Sequence, residues 1–264
     1  MKTLIIIPAR YGSTRFPSKM LKNATGWPLV RHVYEQATQS EADRVIIATD
    51  DQRILDAVKN FGGEAILTKD THQSGTDRIA EVVSKVKGYE VIVNLQGDEP
   101  EIEPSAINQL IYLQKQYQPF MSTLCCPFPE NNKNGHGSPL DPSCVKVVLG
   151  KKMGKKPEMA SQALYFSRSI IPYPRATNNI IEHPENYYLH VGMYASSPES
   201  IVEFAALPHS FLENTERLEQ LRVIENGHVI LVGTIPHSFP GIDTEKDYLA
   251  FVKRHHAKKS FNKR

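Results

Sequence analysis

The sequence predicts an α/β protein: a doubly wound, mostly parallel sheet followed by a mixed or antiparallel C-terminal extension. Three observations predict it. Short apolar, β-branched runs of the kind buried on both faces recur at Leu4-Ile5-Ile6-Ile7, at 44–49 and at 90–95. Amphipathic helical stripes separate them, so strand and helix alternate. Beyond about residue 119 that rhythm gives way to strand-like segments with few helices between them.

Taken in order, the first strand ends at Pro8. Residues 27–38 place Leu29, Val30, Val33, Tyr34 and Ala37 on one helical stripe, with Pro28 near the start, where a missing N–H costs nothing. The second strand, 44–49, is followed by Asp50-Asp51, then by a helix over 51–61 that Gly62-Gly63 stops. A third strand at 64–68, a helix marked by Ile79, Val82, Val83 and Val86, and the fourth strand complete this half. In such sheets ligands bind beyond the carboxyl ends of the strands. Later strands are expected at 120–125, 144–149, 162–167 and 187–195, with helices over 198–206 and 214–225, a strand at 228–232 and a last helix from Thr244. Residues 131–139 read as an exposed loop, and Lys151, Lys152, Lys155 and Lys156 as a solvated hairpin tip. One domain is expected over 1–264: a nucleotide-binding half at 1–118, a second half at 119–254, and a frayed basic tail at 255–264.

A net charge of +2 offers no general attraction to nucleic acid or an anionic membrane, so any phosphate-binding power must be local. The N-terminal apolar run stops too soon for a signal segment or a membrane span, which points to the cytoplasm. Cys125, Cys126 and Cys144 form neither a metal spacing nor a disulfide framework and read as reduced thiols.

Three polar islands lie after the predicted strands. The loop 9–19 (ARYGSTRFPSK) carries Arg10, Arg15 and Lys19, with Gly12, Ser13 and Thr14 offering close backbone approach and hydroxyl donors. Fixed guanidinium and N–H donors of this kind suit a triphosphate. The loop is neither a Walker A sequence nor a dinucleotide-binding glycine turn. The second island, THQSGTDR at 71–78, opens a helix. Ser74 or Thr76 could cap that helix and Asp77 suits its positive end; capping alone accounts for Thr76 and Asp77, whereas Gln73, Ser74 and Gly75 together suit a base or sugar. The third, LQGDEP at 95–100, puts Asp98 on a turn where a carboxylate can hold Mg²⁺ beside phosphate oxygens; Glu99 and Glu101 are expected to face solvent or brace the turn. Asp243 in Gly-Ile-Asp-Thr is a second candidate, with capping of the final helix as its alternative. Glu216 and Glu219, read on one helix, point the same way toward sugar hydroxyls or plain solvent. His190, on an apolar strand, suits a hydrogen-bonded core histidine.

Together the stretches PARYGSTRFPSK, ATDDQRI, HQSGTDRIAEV, VNLQGDEP, ALYFSRSIIP, HVGMYA, LEQLRVIENG and GIDT resemble the 3-deoxy-manno-octulosonate (Kdo) cytidylyltransferases, or CMP-Kdo synthetases, over nearly the whole chain. The resemblance implies a nucleotidyltransferase-type sheet and the transfer of CMP from CTP to Kdo, with release of pyrophosphate. It puts CTP phosphates on Arg10, Thr14, Arg15 and Lys19, and cytosine and ribose near Ser74, Gly75, Arg78 and Gln96. Mg²⁺ would lie on Asp98 and Asp243, which with Lys19 form the catalytic set. The sugar acid would meet Arg168, His190, Tyr194, Glu219 and Arg222. It further implies a homodimer, and a product that feeds lipopolysaccharide assembly. One departure is local: the family's Gly-Lys-Pro-Leu is Ser18-Lys19-Met20-Leu21 in this chain. The alternatives are a cytidylyltransferase for another acidic sugar and a non-catalytic nucleotide sensor.

Overall fold

In the computed structural model Leu4-Ile5-Ile6-Ile7 form the centre of β1 (Thr3–Ala9), in which only Pro8 escapes full burial. Such a strand needs neighbours on both edges and cover on both faces, and it pairs in parallel with β2 (Arg44–Thr49) and β4 (Val91–Asn94). A third strand, β3 (Ala65–Leu67), continues the parallel order as β3-β2-β1-β4. Ile5 lies opposite Val45 on one side and Val93 on the other, which brings the carboxyl ends of β1, β2 and β4 to one edge.

The structure describes residues 1–12, 15–72, 74–154 and 160–261. They fall into two compact units, one made of Met1–Asn108 with the chain from Phe239 onward, the other of Gln109–Ser238. The return of the C-terminal segment to the first unit is a long-range event that composition does not signal.

In the first unit α1 (Leu29–Thr38), α2 (Gln52–Asn60) and α3 (Gly75–Lys85) connect the strands. The predicted stripe of α1 is buried at Leu29, Val30, Val33 and Ala37, while Tyr34 keeps its hydroxyl on the Glu64 N–H at 3.3 Å. The last helix, α8 (Glu245–Phe261), sets Tyr248 and Phe251 against Phe16 and Leu29. The frayed basic tail expected from residue 255 is therefore helical through Phe261. Arg254 and Lys258 hold Glu101 at 2.6 and 3.7 Å.

The second unit follows from α4 (Pro104–Tyr117), within which the boundary falls. Its strands are β5 (Met121–Pro127), β6 (Lys146–Met153), β7 (Ala160–Ser167), β8 (Tyr188–Ser196) and β9 (Ile230–Thr234). They run in the order β8-β5-β9-β7-β6, and β6 pairs with β8 as well, so the five strands return on themselves. Only β5–β9 is parallel, which makes the predicted mixed character explicit. Residues 155–159 of the expected lysine-rich hairpin tip lie outside the described residues.

Besides the larger part of α4, the described residues of this unit include α5 (Pro198–Ala206), α6 (Phe211–Glu216) and α7 (Gln220–Glu225). The single helix expected over 214–225 is two. A capping box of Ser210 with Glu213 starts α6, and Arg217 in a left-handed conformation (φ 56°) ends it.

Candidate functional site

In the first unit the chemistry gathers where three distant segments meet. After β4 the chain turns at Gly97 close against β1, and a Cβ built there would lie 2.9 Å from the Pro8 carbonyl oxygen. No side chain fits without a backbone shift, which is the steric reason for glycine in this turn. Asp98 follows; its main-chain carbonyl accepts the Ile242 N–H at 2.9 Å and so ties GDEP to GIDT. Lys19 enters from the short 3₁₀ turn Lys19–Leu21, only 8% exposed. Its Nζ donates to Asp98 Oδ2 at 2.6 Å and to the Ile242 carbonyl at 2.9 Å, and lies 4.0 Å from Asp243 Oδ1. Arg15 reaches the same Asp243 oxygen at 2.8 Å from an exposed position.

The capping alternative for Asp243 is answered by its neighbours. Thr244 Oγ1 accepts the Asp247 N–H at 3.3 Å, while Asp247 accepts from the Thr244 N–H at 2.9 Å, so the start of α8 is capped by Thr244 with Asp247. The Asp243 carboxylate is left for Arg15 and Lys19.

Glu99 departs from its expected solvent-facing role. Its Oε2 is out of solvent with no hydrogen-bond partner among the described residues. Burial, with the Asp98 charge beside it, pushes its carboxyl up to about 8. Glu101 does brace the turn, through Arg254 and Lys258.

The phosphate-type loop is held from the side. Arg10 donates through Nη2 to the His72 carbonyl at 2.9 Å, and the His72 ring is paired with Glu81. The Tyr11 N–H points to Asp50 Oδ1 at 3.4 Å, and the Arg53 guanidinium sits 3.4 Å from the Tyr11 ring centroid. Arg78 is 0% exposed; its Nη2 donates to Asp50 Oδ2 at 2.8 Å and its Nη1 to Thr68 Oγ1, while Nε has no partner among the described residues. It therefore acts on the loop through Asp50, and direct contact with a base is closed to it. Ser74 is also committed locally: it caps α3 in a box with Asp77, each accepting the other's N–H at 3.1 Å. Of the two expected cap candidates, Ser74 and Thr76, the cap is Ser74. Gly75 opens α3 with space around it, and Gln96 leans on Asn94 at 3.4 Å. Thr14, with Ser13 and Gln73, lies outside the described residues.

The second unit carries the remaining candidates. Arg168, just past β7, donates its N–H to Glu216 Oε2 at 2.9 Å and its Nε to the Glu216 carbonyl at 2.8 Å; Nη1 reaches the Pro142 carbonyl at 3.1 Å. Ser167 Oγ donates to the other Glu216 oxygen at 2.5 Å. The Glu216 carboxylate is consumed in this way, and it does not share a helix with Glu219, which stands half-buried at the start of α7. Lys146, fully buried, gives its ammonium to the carbonyls of Cys144 at 2.6 Å, Asp141 at 3.1 Å and Arg168. Burial lowers its pKa.

His190 on β8 bonds Thr123 Oγ1 through Nε2 at 2.9 Å, with the Phe166 and Tyr194 rings 4.9 and 5.5 Å away. Burial pushes its pKa down to about 3, so the ring is neutral. Arg222 is buried: it lies 3.1 Å from Glu213, donates to the Leu207 carbonyl at 3.0 Å and stacks 4.7 Å from the Phe204 ring. It braces α5 and α6 and is not presented to a ligand. The thiols of Cys125 and Cys126 are pushed up by burial to about 12 and about 11, and so are inert.

Sequence reasoning passed over Asp50, Glu81, Thr123 and Lys146. Asp50 had a local signal, its place at the carboxyl end of β2; Thr123 is recognised only through His190, 67 residues on, while Glu81 pairs with His72 9 residues away and Lys146 with carbonyls 2, 5 and 22 residues away.

A family model described as Cytidylyltransferase matches residues 4–231. The chain is 44% identical to the 3-deoxy-manno-octulosonate cytidylyltransferase of Parabacteroides distasonis, over 96% of this chain and 98% of that one. It is also 44% identical to the protein of the same name from Fusobacterium nucleatum, over 94% of each. Among solved structures it is similar to a CMP:2-keto-3-deoxy-manno-octonic acid synthetase in complex with CTP, with 38% identity, 98% and 100% coverage and a TM-score of 0.85. A UDP-glucose pyrophosphorylase with UDP-glucose shares the fold, at a TM-score of 0.67 and 15% identity over 98% of this chain and 100% of that one.

Proposed function

The chain belongs to the cytidylyltransferase family, among its 3-deoxy-manno-octulosonate members, and from that premise we propose that it transfers CMP from CTP to Kdo and releases pyrophosphate. The observation that carries the site assignment is the buried ammonium of Lys19, within 4.0 Å of both Asp98 and Asp243. Two carboxylates from segments far apart in the chain converge there on one cation, and nothing in helix capping accounts for the second.

The donor set is all oxygen and fits Mg²⁺, which takes one or two carboxylates and leaves its other positions to phosphate and water. Asp98 and Asp243 are the residues that would hold the ion, and Lys19 balances their charge until it is bound. Mg²⁺ there supplies charge neutralisation at the α-phosphate.

The protein's own contribution is positioning and electrostatics, which dominate phosphoryl transfer. Arg10, Arg15 and Lys19, with Thr14, bind the triphosphate and stabilise the departing pyrophosphate. Ser74, Gly75 and Gln96 border the base and ribose, and Arg78 serves them by fixing Asp50. Arg168 meets the sugar carboxylate, its guanidinium oriented by the carbonyls of Glu216 and Pro142. His190, Tyr194 and Glu219 address sugar hydroxyls, and Arg222 supports them from the core. The anomeric hydroxyl attacks the α-phosphate and pyrophosphate leaves, with no covalent enzyme intermediate. The parallel order β3-β2-β1-β4 supports a doubly wound sheet of nucleotidyltransferase type.

The same reading makes the enzyme a cytoplasmic homodimer that supplies lipopolysaccharide assembly. No helix among the described residues is long and apolar enough to cross a membrane, and light scattering tests the dimer. The activity is tested by pyrophosphate release with each nucleoside triphosphate against a panel of sugar acids. Turnover is expected with CTP and Kdo. Preference for another acidic sugar would replace the substrate, and CTP binding without any product would replace the enzyme by a nucleotide sensor.

A further inference from the structure

The register of β5 against β8 is interrupted at one place. Thr123 lies opposite Tyr194 and Leu124 opposite Val191, so Gly192 and Met193 have no partner in β5 and β8 bulges. A bulge turns carbonyls away from the ladder, and buried carbonyls need donors. Thr123 Oγ1 supplies one: it reaches the Met193 carbonyl at 2.8 Å and the Val191 carbonyl at 3.2 Å. The same oxygen lies 2.9 Å from His190 Nε2.

A hydroxyl has one proton to give and two lone pairs to offer. Two amide carbonyls compete for that proton, and neither can change its role. The imidazole can, because either nitrogen may carry its hydrogen. With the Thr123 proton directed to the bulge carbonyls, the contact to Nε2 holds only if Nε2 is the N–H donor. A neutral ring so fixed presents Nδ1 as a bare acceptor, and among the described residues the ring's one hydrogen bond is that at Nε2. Phe166, T-shaped to the ring at 4.9 Å, and Tyr194, tilted to it at 5.5 Å, pack against it and restrain its rotation.

We propose that Thr123 is a positioning residue: clamping the β8 bulge, it locks His190 as the Nε2–H tautomer, so that Nδ1 accepts a hydrogen bond from a hydroxyl of the acidic sugar. The site then selects a hydroxyl, a donor, over an ether or a methylated oxygen at that position. The sugar-facing half rests on the Kdo-binding reading above; the tautomer does not.

The test has two independent arms. Long-range ¹H–¹⁵N spectra of the full chain labelled with ¹⁵N-histidine report the tautomer in the unaltered protein. The expected signal is a protonated Nε2 and an acceptor-type Nδ1, unchanged from pH 7.5 down to pH 5 (roughly two units above the ring's depressed pKa). An Nδ1–H signal overturns the lock. In kinetics, Thr123→Val removes the oxygen and is expected to raise KM for Kdo by about fivefold to tenfold, the worth of one neutral hydrogen bond. KM for CTP should stay unchanged, and Thr123→Ser should restore KM for Kdo. Because Thr123→Ser keeps the oxygen and the spectra use the native chain, a poorly folded valine variant does not shield the idea. An intact native tautomer that Thr123→Val abolishes, with KM for Kdo unmoved, overturns the sugar contact and leaves the lock standing.

Discussion

Replacing Asp98 by asparagine keeps the shape of the turn and removes one charge beside a buried ammonium. In the unloaded protein Lys19 would still have the Ile242 carbonyl at 2.9 Å and Asp243 at 4.0 Å, and the asparagine oxygen can still accept from Nζ. Leaving a buried charge wholly unpaired costs about 3–5 kcal/mol, which is a ceiling here. The Asp98 side chain is 28% exposed and two acceptors remain, so the loss is closer to that of charge assistance in one hydrogen bond, about 1–2 kcal/mol. At about 2–4 °C per kcal/mol for a chain of this size class, thermal unfolding without metal or nucleotide should shift down by a few degrees. Turnover should suffer far more, because the carboxylate is also half of the oxygen set that suits Mg²⁺. A fall of at least about a hundredfold is expected in pyrophosphate release with CTP, Kdo and Mg²⁺, the scale on which single electrostatic groups act in such sites. Turnover within a few-fold of the native chain would sink the metal assignment. A fall in turnover with no change in unfolding temperature would instead show that the 2.6 Å contact carries little energy in the resting protein.

Ser18 sits at φ 54°, where a side chain is strained, so Ser18→Gly should raise stability by about 0.5 kcal/mol after the entropy glycine loses on folding, as read by urea unfolding. Gly97→Ala puts a methyl 2.9 Å from the Pro8 carbonyl and should cost about 1–3 kcal/mol and slow turnover; an alanine variant as stable as the native chain removes the close-approach argument. His190 binds its proton only near pH 3 when folded but near 6.5 when unfolded, so between these values the unfolded chain holds more protons and stability rises with pH. Denaturant titrations at pH 4.5 and 7 should therefore differ less for His190→Gln than for the native chain, and an equal difference in both would refute the depressed pKa.

The sequence by itself determined the local elements and the residues that end them. Alternation of β-branched runs with amphipathic stripes is a short-range property, and it placed β1, β2, β4 and α1 to α3 within a few residues. It also placed Arg10, Asp50 and Asp98 at strand carboxyl ends, because in a parallel sheet that position follows from the order of elements alone. Motif resemblance then supplied the chemistry that spacing could not. What only the tertiary structure decided was which charged groups are available and which are spent. Arg78 and Arg15 are equally cationic in sequence, yet one is sealed against Asp50 and Thr68 while the other reaches Asp243 through solvent. Arg222 and Glu216 were candidates for ligand contact until Glu213, and Ser167 with Arg168, claimed them. The physical reason is that burying a charge or a hydroxyl is tolerable only with a partner, and for Arg78 and Glu216 the partners Asp50 and Arg168 lie 28 and 48 residues away in the chain. No window of sequence contains both Lys19 and Asp243; the fold brings them within 4.0 Å.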